Sequence, residues 1–537
     1  MRRAFLGRAA GVLAALLVLG VLLAGCTREP TVENPQAITV GTLADAKRLL
    51  PPLATDSASA DISQLIFNGL VKYDKDLTLV GDLARSWEVR RGGLEIIFHL
   101  RKGVRWQDGE EFTSEDVVFT YKTVTDPKVP TPYGSIYGPV KKVQAVDPYT
   151  VRVTYSEPFA PAIESWSMGI MPKHILQGKD ISDDAYARHP VGTGPYRLTE
   201  WVPGQKIVLD AYDGYFEGKP GVRRYISRVI PDPATMFLEL KFGGIDYMGL
   251  TPTQYKLQTD SELFRTYFQK FRYPSFGFTY MGYNLLDPRF QDVRVRRAIT
   301  HAINKKDIIK GVLLGYGTPC TGPFPPESWA YNPDVKDPAY DPGRALELLR
   351  EAGWQMRKDG LQWKDGEPFR FTVITNQGND VRLKAAQIIK QDLKAVGIDM
   401  TIKVLEWQAM LHEFIDKKKF EAVILGWSLS RDPDIYDIWH SSKTKENEFN
   451  FISYKNKEVD RLLLEGRRTF DRQKRQKIYR RIHAILAEEQ PYTFLFVPDA
   501  LPVLHKRFKG VEQSPIGIWY DFIHWHVPKS RAQWYTD

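Results

Sequence analysis

Asp432 and Asp434 flank Pro433, and two carboxylates so spaced can trade a proton with a substrate. A turn built around the proline explains the same residues more simply. His412-Glu413-Phe414-Ile415-Asp416 opens like a zinc-protease helix. The second histidine is missing, so one helical face does not offer two ligands. Gly192-Thr193-Gly194 lacks the third glycine of a dinucleotide loop and runs straight into Pro195, which is turn chemistry. The chain has no Cys-x-x-Cys, no Gly-x-Ser-x-Gly elbow and no Walker-type phosphate loop. Trp439-His440 offers one imidazole, which alone reads as structural or solvated. No catalytic residue, metal ligand or cofactor is expected.

The elements that must position these groups are of mixed type. Leu94 to Leu100 and Val151 to Tyr155 alternate apolar and polar residues, the period of a half-buried strand. Ala37 to Gly41 is also strand-like. Ser59 to Asn68, Ser114 to Thr123, Asp292 to Leu314 and Asp341 to Ala352 carry helical patterns, and Val459 to Glu488 reads as one or two helices. Ser114 or Asp116 is expected to serve the start of its helix. Strand Phe369 to Thr375, helix Val381 to Val396 and strand Ile398 to Leu405 form one βαβ unit with a plausible parallel pairing. The fold class is α/β with several sheets. No repeat or low-complexity segment interrupts it.

The start of the chain restricts where it works. Met1-Arg2-Arg3 and Arg8 precede an uncharged run from Ala9 to Gly25. A basic head, an apolar run and small residues at a cut site make a secretory signal. The run is short for a membrane span of about 20 residues. Leu23-Ala24-Gly25-Cys26 resembles a bacterial lipobox, which implies cleavage before Cys26 and lipidation there. Several acyl chains hold a protein far better than one. Cys320 is the other cysteine of the two, so a mature chain lipidated at Cys26 has no internal disulfide. The net charge is +9, to which Arg2, Arg3 and Arg8 contribute. Acids and bases are interspersed through the body, a solvated surface rather than a nucleic-acid stripe. At 537 residues, two or more compact units are expected.

A family resemblance starts at Leu83-Ala84-Arg85-Ser86-Trp87-Glu88. It continues through Phe98-x-Leu100-Arg101-x-Gly103-Val104-x-Trp106-x-Asp108-Gly109 and Phe112-Thr113-Ser114-x-Asp116-Val117-Val118. Pro190 to Tyr196, Tyr283-Asn284, Asp292 to Ala298, Ala302-Ile303-Asn304, Tyr340-Asp341-Pro342 and Ala352-Gly353-Trp354 follow in order. Together these closely resemble the family 5 solute-binding proteins of peptide and nickel ABC transporters. The resemblance implies a type II periplasmic-binding-protein fold with two lobes, two hinge strands and a cleft. It implies lobe I from residues 37–66, 185–278 and 497–537, an extra subdomain at 67–184 and lobe II at 279–496, after a signal peptide at 1–25 and a lipidated tether at 26–36. The crossings are expected near Phe276 to Asn284 and Thr493 to Asp499. Trp87, Trp106 and Trp354 read as packing residues.

The same resemblance implies a monomer, held by its lipid in the periplasm or at the cell surface, that hands oligopeptides or dipeptides to a permease and its ATPase. No nucleic acid is expected as a partner. An oligosaccharide or another small solute is the alternative cargo, and an anchored secreted hydrolase is the rival class. Peptide binders of the family place an aspartate three residues after a tryptophan to receive the peptide ammonium. Here Ser430 stands there, three after Trp427. Either Asp432 or Asp434 takes that role, or the ligand has no free ammonium. Arg431 is a candidate for a ligand carboxylate. Tyr283, Asn284, Asn376, Trp439 and Asn450 complete the expected ligand-binding set. Asn376 is also a candidate cap of the helix after it.

Overall fold

The computed structural model describes residues 36–528. The expected signal segment and the expected lipidation position Cys26 lie outside the described residues. Two seven-stranded sheets dominate. The first runs, edge to edge, through Phe268–Lys270, Pro502–His505, Tyr247–Gly249, Ala37–Thr42, Arg224–Val229, Lys206–Ala211 and Tyr196–Val202. Ala37–Thr42 pairs in parallel with strands on both sides, Ile38 opposite Tyr225 and Val40 opposite Tyr247. The second sheet runs Tyr273–Pro274, Tyr492–Ala500, Gly277–Tyr283, Ala422–Ser428, Arg370–Asn376 and Asp399–Leu405, with Gly317–Pro319 added beside Tyr492–Ala500. Every residue of Gly277–Tyr283 is buried, as befits a central strand with covered faces.

The expected βαβ unit is present: Arg370–Asn376 lies parallel to Asp399–Leu405, joined by the helix Asp380–Ala395. A separate four-stranded antiparallel sheet, Ala84–Arg90, Glu95–Leu100, Thr150–Tyr155 and Val140–Asp147, has its own core around Phe98, Trp106 and Trp166. Thr150–Tyr155 alternates between buried and half-buried positions, as its sequence period requires. This is the two-lobed α/β fold of type II periplasmic binding proteins. The chain passes between the large sheets where Tyr273–Pro274 pairs with Asp499 and Ala500. On either side of this bridge Phe268–Lys270 and Pro502–His505 belong to the first sheet, and Gly277–Tyr283 to the second.

Several helices end differently from the sequence expectation. The Asp292 to Leu314 pattern splits into Val293–Ala302 and Lys305–Gly311, because Asn304 caps the second helix by accepting from the Asp307 amide. The Val459 to Glu488 pattern is two helices, one of the two readings it allowed: Lys457–Arg468 and Arg472–Glu489, with Asp471 capping the second. Thr113 is the cap residue of Ser114–Thr125, and its amide donates to Asp116 at 2.9 Å. Asn379, not Asn376, caps Asp380–Ala395.

The glycine turn has a packing reason. A Cβ on Gly192 would lie 1.8 Å from the Ile66 carbonyl oxygen, and the Gly194 amide donates to that oxygen at 2.7 Å. The turn is docked on the C-terminal end of helix Ser57–Ile66, a structural use of the motif.

Candidate ligand-binding cleft

Helix Ser57–Ile66 stands at the floor of the space between the lobes. Its Asp56 cap accepts from the Ser59 amide. Ala60, Ser63 and Gln64 face one chamber of about 350 Å³, and Ser57, Ala58 and Asp61 face another of about 490 Å³. Both volumes lie in the range of small-ligand sites. The smaller chamber is shared by three parts of the chain: this helix, the segment around Tyr133, Phe159 and Glu164, and the loop carrying Ser430, Asp432 and Asp434. The larger one lies between Leu43, Met236 and Thr251 of the first lobe and Thr279, Asn376 and Arg382 of the second.

The lobes touch across the cleft. The Ser430 hydroxyl donates to the Glu164 carboxylate, and the Asp432 amide reaches the same oxygen at 3.4 Å. The Gln408 side chain donates to the Asp45 carbonyl at 3.0 Å, and Lys47 pairs with Asp416 at 3.4 Å. The Ala160 amide donates to the Arg467 carbonyl at 2.6 Å. The structure is a closed form.

The two carboxylates around Pro433 are engaged internally. Arg475 forks onto Asp432 at 2.5 and 2.6 Å. Arg467 reaches Asp434 through Nε at 2.9 Å and Nη2 at 2.8 Å. Both arginine side chains are 7 % exposed, so each needs its carboxylate. Burial pushes Asp432 upward and the Arg475 fork pulls it back. Ser430, Asp432 and Asp434 do line the smaller chamber. Arg431 lies with its guanidinium 4.0 Å from the centre of the Phe276 ring, and its Nη2 donates to the Pro515 carbonyl at 3.2 Å.

Trp427 ends the strand Ala422–Ser428 half-buried. It stacks parallel to Tyr280 at 6.4 Å, meets Phe449 edge-on at 5.5 Å and donates to the Tyr492 hydroxyl at 3.3 Å. Asn376 lines the larger chamber and accepts from Arg382 at 2.8 Å. The remaining expected residues are turned into the protein and line neither chamber. Tyr283 is fully buried with its hydroxyl against Thr493. Asn284 donates to the Lys418 and Phe420 carbonyls. Trp439 packs on Tyr454 and Tyr492. Asn450 ties together His440 and Tyr454 backbone groups. Apolar or amide residues that end strands look the same in sequence whether they face a cleft or a core.

Three ionisable groups at the cleft belong to no motif in the sequence. Glu164 is withdrawn from water and faces the Asp432 charge, which lifts its pKa to about 7. Asp61 is raised to about 6 by crowding and by Asp56. Its surface is open to the chamber, yet both lobes surround it. Arg382 is lowered to about 10 by burial. One signal was available: Glu164 is the sole charge between Glu157 and Lys173, and Asp61 the sole charge between Asp56 and Lys72. A lone acid in an apolar stretch marks a group that must face water or a ligand.

The profile of the bacterial extracellular solute-binding proteins, family 5 Middle, matches residues 78–449. The chain belongs to this family. Among family 5 relatives, the oligopeptide-binding protein AppA of Bacillus subtilis is 33 % identical over 96 % of this chain and 98 % of its own. The structure of AppA in complex with a nonapeptide matches with a TM-score of 0.88, covering 94 % of this chain and all of that one. The Helicobacter pylori protein DppA, solved with the peptide STSA, matches with a TM-score of 0.83 at 27 % identity, over 92 % of this chain and 98 % of its own.

Proposed function

We propose that this family 5 protein is the receptor of an ABC peptide importer, closing two lobes around a peptide and presenting it to a membrane permease and its ATPase. The reading rests on the closed cleft, whose chambers are lined from both lobes, in a chain that matches peptide-bound AppA along nearly its whole length. A ligand touching both lobes favours closure by its difference in affinity for the two states. Moving the balance from 1:99 to 99:1 takes about 5.5 kcal/mol of preference. The protein performs no chemistry on its cargo.

The bacterial extracytoplasmic location follows from the family. We infer that Cys26 carries the lipid that keeps the receptor beside its permease, and that the receptor acts as a monomer. Fractionation tests the anchor: Cys26→Ser is expected to move the protein from membranes to the soluble fraction.

Cargo is tested by isothermal titration of the mature protein with peptide pools of two to nine residues, with oligosaccharides in parallel. Saturable binding of a peptide pool and a smaller radius of gyration in scattering are expected. Binding of oligosaccharide alone, or turnover of the cargo, would overturn the reading.

A further inference from the structure

Helices Lys457–Arg468 and Arg472–Glu489 meet in a short turn that reaches across to the unit built on the four-stranded sheet. Three contacts tie the two together. The Arg467 carbonyl accepts from the Ala160 amide at 2.6 Å. The Arg468 guanidinium pairs with the Glu157 carboxylate at 2.7 Å. The Phe470 ring lies on the backbone of Gly93, where a Cβ would stand 2.5 Å from its Cζ.

Gly93 belongs to the turn between strands Ala84–Arg90 and Glu95–Leu100. Arg91, Gly92 and Gly93 have φ of 51°, 62° and 92° there, and the two glycines offer bare backbone to a neighbour. Gly93 is buried although it sits at a hairpin tip. Phe470 is 50 % exposed and belongs to none of the five apolar cores of the described residues. A phenylalanine that stays out of its own core and covers a glycine of the opposite unit serves the junction between them.

The junction lies apart from the cargo space: Gly93, Glu157, Arg468 and Phe470 line neither chamber. Arg467 connects the two. Its side chain pairs with Asp434 at 2.8 Å and lies 3.8 Å from Asp437, both of which line the smaller chamber, while its carbonyl holds Ala160.

We propose that the turn 467–471 is a clasp, closed from the second lobe onto the four-stranded unit outside the cleft, and that it sets how long cargo is held rather than which cargo is chosen. This rests on the reading of a receptor whose lobes close and part, and adds what governs release. Cargo leaves when the lobes part, and parting strips Phe470 from Gly93 and Arg468 from Glu157. The cost falls on the outward step, so the clasp acts on the dissociation rate.

The test loads the purified mature protein with a randomised pool of peptides of two to nine residues, dilutes it, and follows retained peptide in time by native mass spectrometry. Phe470→Ser is expected to release the pool about fivefold faster, from loss of the covered ring. Arg468→Glu sets two acids face to face and should release it about threefold faster. Combining Arg468→Glu with Glu157→Arg should restore the wild-type rate, which a general loosening of the helices would not allow. The peptides retained at the start should match wild type throughout. Wild-type rates in both single variants, a charge-exchanged protein no slower than Arg468→Glu, or an altered set of retained peptides overturns the clasp and leaves peptide import standing. A wild type that retains no peptide overturns the import reading instead. Scattering then decides the clasp: ligand-free Phe470→Ser should have a larger radius of gyration than wild type, and an equal one overturns it.

Discussion

Ser430 and Glu164 meet across the cleft, the serine hydroxyl of one lobe donating to a carboxylate carried by the opposite wall. The contact exists only while the lobes are together. Opening returns Glu164 to water and to the ordinary carboxylate range near 4.5, whereas closure holds it at about 7. Between those values the closed form binds more protons than the open form. Closure is therefore favoured at the acid end and loses ground as pH rises from about 4.5 to about 7, with no further change above. Ligand-free protein should show a growing radius of gyration in scattering across that window, and Glu164→Gln should flatten the curve. A wild-type profile independent of pH would remove Glu164 from closure.

Asp432 and Asp434 invite an assignment to ligand, but Arg475 and Arg467 already hold them. Asp432→Ala would leave Arg475 buried without its anion. The expected loss is about 3–5 kcal/mol of stability, the usual result of breaking a buried pair, read as a lower denaturant midpoint. Asp434→Ala acts in the same direction and more weakly, because Asp437 lies 3.8 Å from Arg467 and supplies a second anion. Ligand affinity measured on the fraction that stays folded should change less than stability does. The reverse order would return these carboxylates to the ligand.

Trp427 lines neither chamber, yet it belongs to an aromatic chain across the cleft. Phe449 packs edge-on against Trp427 at 5.5 Å and against Tyr133 of the opposite wall at 5.5 Å. Such contacts contribute about 0.5–1.5 kcal/mol each beyond area burial. Trp427→Ala should weaken ligand binding at least tenfold, about 1.4 kcal/mol, by loosening the closed form, and Trp427→Phe should recover part of it. Titration curves matching wild type for both variants would show that the chain carries no closing energy.

The legible part of this protein is local. Alternation at Val151 to Tyr155 and the βαβ pattern from Phe369 to Leu405 translate directly into strands and a parallel pairing, because burial of one face imposes its period on the residues. The ordered motifs also announce the family. The site was less legible. Ser430 and Asp432 could be placed near the cleft from their loop, but what faces them depends on how far the lobes have rotated. Glu164 and Asp61 stand out locally as lone charges, but the groups they face lie far away in sequence, and no local pattern records that. Tyr283 and Asn450 show the converse: polar tips that look available in sequence are satisfied inside the core.

His483 provides a titration opposite in sign to that of Glu164. The ring is fully buried on helix Arg472–Glu489. Its Nδ1 accepts the Asn332 amide at 3.3 Å, its Nε2 lies 3.1 Å from the Thr321 hydroxyl, and Phe324 and Tyr331 pack around it. Protonation would destroy the lone pair that Nδ1 uses and place a charge without an anion there. Burial accordingly lowers the pKa from 6.5 to about 4. The unfolded chain takes up the proton first, so folding stability is intact above about pH 6.5 and falls as pH drops toward 4. The full loss from this one group is about 3 kcal/mol. His483→Gln keeps donor and acceptor without titrating, so its denaturant midpoint should vary less between pH 6.5 and 4 than that of wild type. Parallel acid limbs in the two proteins would show that other groups govern the acid transition.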